Sequence, residues 1–215
     1  QEAAKEVGGD FYDFFIVDES HLAFLIADVS GKGIPAAMFM MNAKAQLKSN
    51  ILNNPQKPLS EVIYEVNNSI CEGNDACMFV TVFVGVLDLR TGLMNYVNAG
   101  HNAPILRRAN GDASWLPVEN GFVIGGMDSV DYIQESITLS SGDGILLYTD
   151  GVTEAMNRQL ALYGDDRLIN LMDGPIMRSA PADCILCELK SDVLAYADGA
   201  PQSDDITMLF LHYLG

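Results

Sequence analysis

The stretch GGDFYDFFIVDESHLAFLIADVSGKG, residues 8–33, decides how the chain begins to fold. Residues 10–17 and 21–28 read as strands around a turn at Asp18-Glu19-Ser20, so antiparallel partners sum to about 38. In that register Asp10 lies opposite Asp28. Tyr12 with Ile26, Phe14 with Phe24 and Ile16 with Leu22 follow on the same face, because side chains alternate along a strand. The face is apolar except at the end where two carboxylates meet. Like charges in direct opposition are destabilising. At about 4 Å and an effective dielectric of about 20, the repulsion is about 4 kcal/mol. Either one carboxyl is protonated, or a cation sits between them, or the hairpin end frays and both side chains reach water.

Beyond the hairpin, a glycine-rich turn leads into a helix from about Pro35 to Leu52, with proline in the first turn where a helix tolerates it. The Pro55–Pro58 break precedes a second helix, about 59–72, with Leu59, Val62, Ile63, Val66 and Ile70 at helical spacing. FVTVFVGVLDLRTGLMNYVNAG reads as two strands around Arg90-Thr91-Gly92, and PILRRANGDASWL as a hairpin with Asn110-Gly111 at its tip. A strand at about 131–139, a turn at Ser141-Gly142-Asp143 and the buried strand GILLYT (144–149) come next. Two helical patterns follow within 165–198, and ITMLFLHYL forms a last strand. Antiparallel hairpins with two helices in the middle and two near the end predict an α+β fold of two packed antiparallel sheets with helices outside.

Composition narrows the function classes. The chain has 215 residues, 49% of them hydrophobic and 19% charged, enough for one sizeable core. With 29 acidic residues against 12 basic ones, the net charge of -17 argues against nucleic acid and anionic membrane surfaces, which are held by Lys and Arg. It suits divalent cations or a basic protein surface. The longest apolar run, Met78 to Leu87, is too short to span a bilayer, and no signal-peptide pattern opens the chain. The chain starts at Gln1 without Met, so it is expected to be the excised part of a longer multidomain regulator. Cys184 and Cys187 resemble half a zinc site, but Cys71 and Cys77 are spaced too widely for the other half. Both Cys184 and Cys187 are expected in the core as free thiols, which points to a reducing, cytoplasmic setting.

Two further sites share the pattern of the opening hairpin. Asp150 stands at the exit of GILLYT, and Asp204 and Asp205 stand at the entry to the last strand. Asp10, Asp28, Asp150 and Asp204 thus each sit where a largely apolar strand meets a turn. Carboxylates converging in this way would form a hard oxygen site for Mg²⁺ or Mn²⁺. Two ions in such a site can lower the pKa of a bound water and clamp the oxygens of a phosphoryl group. Strand ends also carry Asp for turn chemistry alone.

The blocks GGDFYDFF, ADVSGKGIPAAMFM, NAGHNAP, LLYTDGVTEA and SDDITM, in this order from residue 8 to residue 208, resemble the signature blocks of metal-dependent serine/threonine phosphatases. This is the protein phosphatase 2C superfamily, in its bacterial stage II sporulation protein E-like branch. The resemblance implies a four-layer sandwich of two antiparallel sheets flanked by helices, a single phosphatase domain over 1–215, and two Mn²⁺ or Mg²⁺ ions at one sheet edge. It implies that Asp28 bridges the ions, that the Val29 carbonyl is a ligand, and that Asp150 and Asp204 bind directly. Asp10 would act directly or through a water, and Asp205 is the second member of its pair. In the animal enzymes Asp-Gly fills the place of Asp28-Val29, where only the carbonyl matters. Gly151 would let backbone approach the site. Eukaryotic relatives grip phosphate with an arginine upstream of the first acidic motif. Here Lys5 is the basic residue nearby, read either as a phosphate contact or as a solvated lysine.

By the same resemblance the substrate is a phosphorylated anti-sigma-factor antagonist of the STAS type, within a partner-switching pathway. Helices 35–52 and 59–72 would then be a regulatory element, with a partner domain or a homodimer contact completing the metal site. The alternative is a catalytically weak regulatory or scaffold module of the same fold. Other signals carry less. GGDF lacks the second acid of the GGDEF turn of diguanylate cyclases, since Phe11 stands there. SGKG lacks the earlier glycine and following Ser/Thr of a phosphate loop. His101 has no GxSxG or activated cysteine beside it, so it and Asn102 are expected to hold loop backbone. Met38, Met40 and Met41 read as core or interface filler.

Overall fold

The computed structural model describes residue 1, residues 8–119 and residues 121–215. Its chain divides into two compact units: Lys5–His101 with Val118–Thr138, and Gln1–Ala4 with Asn102–Pro117 and Leu139–Gly215. Each unit is built on one antiparallel sheet, so the α+β class and its two antiparallel sheets are as the hairpin pattern predicts.

In the first unit the strands β1 (Phe11–Ile16), β2 (His21–Val29), β3 (Val80–Asp88), β4 (Leu93–Ala99) and β7 (Glu135–Thr138) run in the order β1-β2-β3-β4-β7. The β1–β2 partners are Phe11–Ala27, Tyr12–Ile26, Phe14–Phe24 and Ile16–Leu22, the register with sum 38. One face of this sheet, carrying Ala23, Leu25, Ala27, Val82, Val84 and Val97, packs against two helices. These are α1 (Ile34–Asn53) and α2 (Leu59–Cys71). Gly33 precedes α1 with φ 86° and ψ -159°, a conformation open essentially to glycine, and Pro35 follows in the first turn. On α2 the residues Val62, Ile63, Val66 and Ile70 are fully buried, each worth about 1.5–3 kcal/mol of apolar transfer. Asn67 is buried among them because it has work for both ends of its amide. Its Oδ1 accepts from Gly125 N–H at 2.9 Å and its Nδ2 donates to the Met127 carbonyl at 2.9 Å. That pins the irregular segment after Val118 onto α2.

In the second unit β5 (Ile105–Arg107), β6 (Ala113–Trp115), β8 (Gly144–Tyr148) and β9 (Met208–His212) run in the order β6-β5-β8-β9. Their helices are α3 (Asp165–Met172), α4 (Pro175–Ser179) and α5 (Ile185–Ala197), packed through Leu168, Met172, Met177, Ile185 and Leu189 against Leu146 and Tyr148. The Asp143 carboxylate is buried beside the turn it closes. It accepts from Ser140 N–H, Ala109 N–H and Arg108 Nη1, and though burial pushes its pKa up, these partners together hold it below the ordinary carboxylate value.

Several sequence expectations are corrected. The strand expected at 131–139 is confined to Glu135–Thr138, and the short helix α4 lies between the two expected near the end. Cys184 and Cys187 are not core residues: Cys184 is half-buried ahead of α5 and Cys187 is exposed. The helix starts at Ile185, so its inward stripe is Ile185, Leu189 and Val193, which turns Cys187 outward. Met40 packs at the core edge, but Met38 and Met41 are each 67% exposed. The inward face of α1 is instead Ala36, Ala43, Leu47 and Ile51, whose alanines let the helix lie close to the sheet. Among the described residues no helix is long and apolar enough to cross a membrane.

Candidate metal centre

The structure brings the predicted acidic residues together in two sets, one in each unit. In the five-stranded unit the β1–β2 ladder ends at Phe11–Ala27, so Asp10 and Asp28 are the next residues outward on the two strands. Asp10 is buried, only 3% exposed, and Asp28 is half-buried. Asp10 is thus held inside the fold, while Asp28 keeps partial access to solvent. Gly9 explains how backbone reaches this corner. A Cβ there would stand 3.1 Å from the Val29 carbonyl oxygen and 3.6 Å from Asp28 Oδ1. The Val29 side chain is buried in the helix-facing core, which leaves the residue's carbonyl as its contribution to this corner.

A supporting layer lies beside Asp28. Thr81, its partner on β3, donates its hydroxyl toward the Asp28 carbonyl at 3.4 Å and lies 2.9 Å from His101 Nδ1. His101 is only 4% exposed. Asn98 clamps it, accepting from His101 N–H at 3.0 Å and donating to its carbonyl at 2.9 Å. Asn98 thus holds the His101 backbone, and the His101 ring lies against the Thr81 hydroxyl. Thr81 and Asn98 were missed in the sequence. Only the NAGH block hinted that a polar cluster ends β4.

In the four-stranded unit Asp150 follows β8 by two residues and Asp204 and Asp205 precede β9. The β8–β9 ladder extends through Thr149 N–H to the Thr207 carbonyl (3.0 Å) and Thr207 N–H to Thr149 Oγ1 (3.1 Å). Thr149 Oγ1 also donates to the Asp205 carbonyl at 3.4 Å. Gly151 lies so close that a Cβ would run into that same carbonyl, which is why Asp150 and the Asp204–Asp205 pair meet here. Asp204 Oδ1 accepts from Asp205 N–H at 2.9 Å, and Asp205 is itself buried. Lys5 lies outside the described residues.

The donors in both sets are carboxylates and backbone carbonyls, hard oxygen ligands of the kind Mg²⁺ and Mn²⁺ take. Gly9 and Gly151 are the places where a side chain would fill the space beside those carbonyls, so the residues present fit such ions. Among the described residues no group of three or more His, Cys, Asp or Glu side chains is gathered closely enough to hold a metal ion.

Comparison with known proteins agrees with the geometry. The chain is 31% identical over 236 aligned residues to Protein IcfG of Synechocystis, covering 98% of this chain and 37% of that protein. It is 36% identical over 154 residues to phosphoserine phosphatase RsbU of Bacillus subtilis, covering 70% of this chain and 44% of RsbU. The chain therefore spans well under half the length of these relatives. The SiaA-PP2C domain of Pseudomonas aeruginosa shares the fold, with TM-score 0.84 and 21% identity over 99% of this chain and 83% of that one. The family model described as stage II sporulation protein E matches residues 18–214, from the β1–β2 turn to the end of the last strand. The chain belongs to the stage II sporulation protein E family.

Proposed function

We propose that this chain is a phosphatase domain that hydrolyses phosphoserine or phosphothreonine on a regulatory protein, with two Mn²⁺ or Mg²⁺ ions as cofactors. The observation that carries the reading is the buried Asp10 beside Asp28 in a chain of this family, two carboxylates whose repulsion a divalent cation would relieve. The likeness to RsbU, named as a phosphoserine phosphatase, supports the reaction class.

In this reading Asp28 and the Val29 carbonyl, with Asp10, would supply ligands, as would Asp150, Asp204 and Asp205. Bound ions would activate water and neutralise charge on the phosphoryl group. The chain's own residues hold that arrangement ready. Thr81 and His101 steady the backbone at Asp28, while Gly9 and Gly151 keep the carbonyls of Val29 and Asp205 within reach. No side-chain nucleophile is required, which fits a site made only of carboxylates and carbonyls. The substrate would be a STAS-type anti-sigma-factor antagonist, with Lys5 as a phosphate contact, a homodimer or partner domain acting through α1 and α2, and the cytoplasm as the setting.

The test is release of phosphate from a phosphorylated STAS-domain protein. Release should need Mn²⁺ or Mg²⁺, stop with EDTA, and fall by about 10²–10³-fold in Asp150→Asn, the scale expected when a group stabilising the transition-state charge is lost. A wild-type chain that stays inactive with substrate, metal and activator present would instead mark a regulatory module of the same fold.

A further inference from the structure

The five-stranded unit holds a cavity of about 290 Å³ at the end of β2 away from Asp28, near the small end of the range for ligand sites. The seven residue-to-residue steps from His21 to Asp28 span about 23 Å of strand, so this cavity is separate from the acidic corner. Its floor is apolar, made by Ile51 of α1, Leu59 and Val62 of α2, and Val86 of β3. Its polar lining is unlike the rest of the molecule. The chain carries 29 acidic residues against 12 basic ones, yet no acid lines the cavity, while Lys57 and His21 do.

Much of the polar capacity there is unspent. Asn95 lies on the helix-facing side of β4, in step with the buried Val97 and Ala99, and is itself half-buried with its amide open to the cavity's solvent. Its amide makes no hydrogen bond among the described residues. Gln134 Oε1 accepts from Leu59 N–H at 2.6 Å, which leaves its NH₂ group. His21 Nδ1 is taken by Asp18 at 2.8 Å, which leaves Nε2. Lys57 pairs at 2.7 Å with Glu65, a half-exposed carboxylate whose hold in water is weak.

We propose that this cavity binds a small carboxylate on a short apolar body. The carboxylate lies among Lys57, Asn95 and Gln134, and the body lies on Ile51, Leu59, Val62 and Val86. Such a ligand ties the end of α1 and the start of α2 to the sheet, and so governs how firmly those helices are held.

The experiment is an NMR titration of the isotope-labelled chain with hexanoate, with hexanol and hexylammonium as controls. Hexanoate should give saturable shifts of the Asn95 and Gln134 side-chain NH₂ signals and of the Val62 amide, with hexanol and hexylammonium each at least several-fold weaker. Asn95→Leu and, separately, Lys57→Met should each weaken hexanoate binding by about tenfold, the loss of one good polar contact. Asp150→Asn and EDTA should leave binding unchanged, which keeps this result independent of the phosphatase reading. Shifts that do not saturate, equal binding of hexanol, or hexanoate binding untouched by both substitutions would overturn the proposal. If Asn95→Leu alone misfolds, the more exposed Lys57→Met decides.

Discussion

Gly151 has no room for a side chain, because a Cβ would enter the carbonyl of Asp205. Gly151→Ala should therefore force β8 and the 204–205 segment apart, at about 1–3 kcal/mol by analogy with overpacking. A lowered urea midpoint with unchanged slope would show it, and wild-type stability would refute the close approach. Asp18 offers a test by titration. The Ser20 N–H above all, then the His21 side chain, hold its carboxyl at a pKa of about 2. A lowered folded-state pKa stabilises the fold above the ordinary carboxylate value and loses that contribution as pH falls toward 2. Carboxyl NMR of Asp18 should give a midpoint near 2, and Asp18→Asn should flatten the acid-induced loss of stability between about pH 4 and 2. A midpoint at the ordinary value would remove the turn's hydrogen bonds from consideration. Some of this was legible. The Asp10–Asp28 opposition followed from counting outward from one turn, since register is set by turn and pattern. The His101–Thr81 contact did not, because its partners are 20 residues apart, one on β3 and one just past the end of β4, and only tertiary pairing brings them together.

Elements with a strong local period were readable. α2 and the hairpins agree with the pattern to within a residue or two, because burial on one face writes a period of 3.6 or 2 into the sequence, whereas α1 was legible from the glycine turn and Pro35 that begin it. α4 left no such trace. It has five residues, too few for a period, and is held from outside by Arg107, whose Nη2 donates at 3.1 Å to the carbonyls of Met177, Arg178 and Ala180. A buried cation at the C-terminal end of a helix satisfies carbonyls that the helix itself cannot. Arg107→Met should cost about 2–4 kcal/mol, the range for charged hydrogen bonds lost in a buried place. Amide exchange should quicken at Arg178 and Ala180 while β2 and β3 keep their protection. Uniform quickening across both units would assign Arg107 a global role instead. Within β3, Gly85 faces Phe24, and an added Cβ would lie 2.6 Å from the ring. Gly85→Ala should thus destabilise by about 1–3 kcal/mol although alanine suits a strand at least as well as glycine. A stabilised variant would mean that the ring has room to turn.

At the scale of the whole molecule the chain visits its two units in alternation, with Val118–Thr138 returning to the unit that Lys5–His101 began. No local pattern encodes such a return, which is why the sequence predicted the strands better than it predicted which unit each belongs to. The metal proposal likewise joins carboxylates far apart in the sequence, Asp10 and Asp28 with Asp150, Asp204 and Asp205. If these carboxylates share ions, metal binding stabilises the molecule only while all of them are intact. At a hundred times its dissociation constant, Mn²⁺ should add about 2.7 kcal/mol to the unfolding free energy. Asp28→Asn and Asp204→Asn should each abolish most of that increment, and the double variant should lose little more, the non-additivity of residues that share one ligand. A net charge of -17 means that any cation relieves some repulsion, so the comparison must be made against NaCl at equal ionic strength. Stabilisation by Mn²⁺ that matches NaCl, or that persists in both single variants, would show that the carboxylates act separately and that no shared ion holds them.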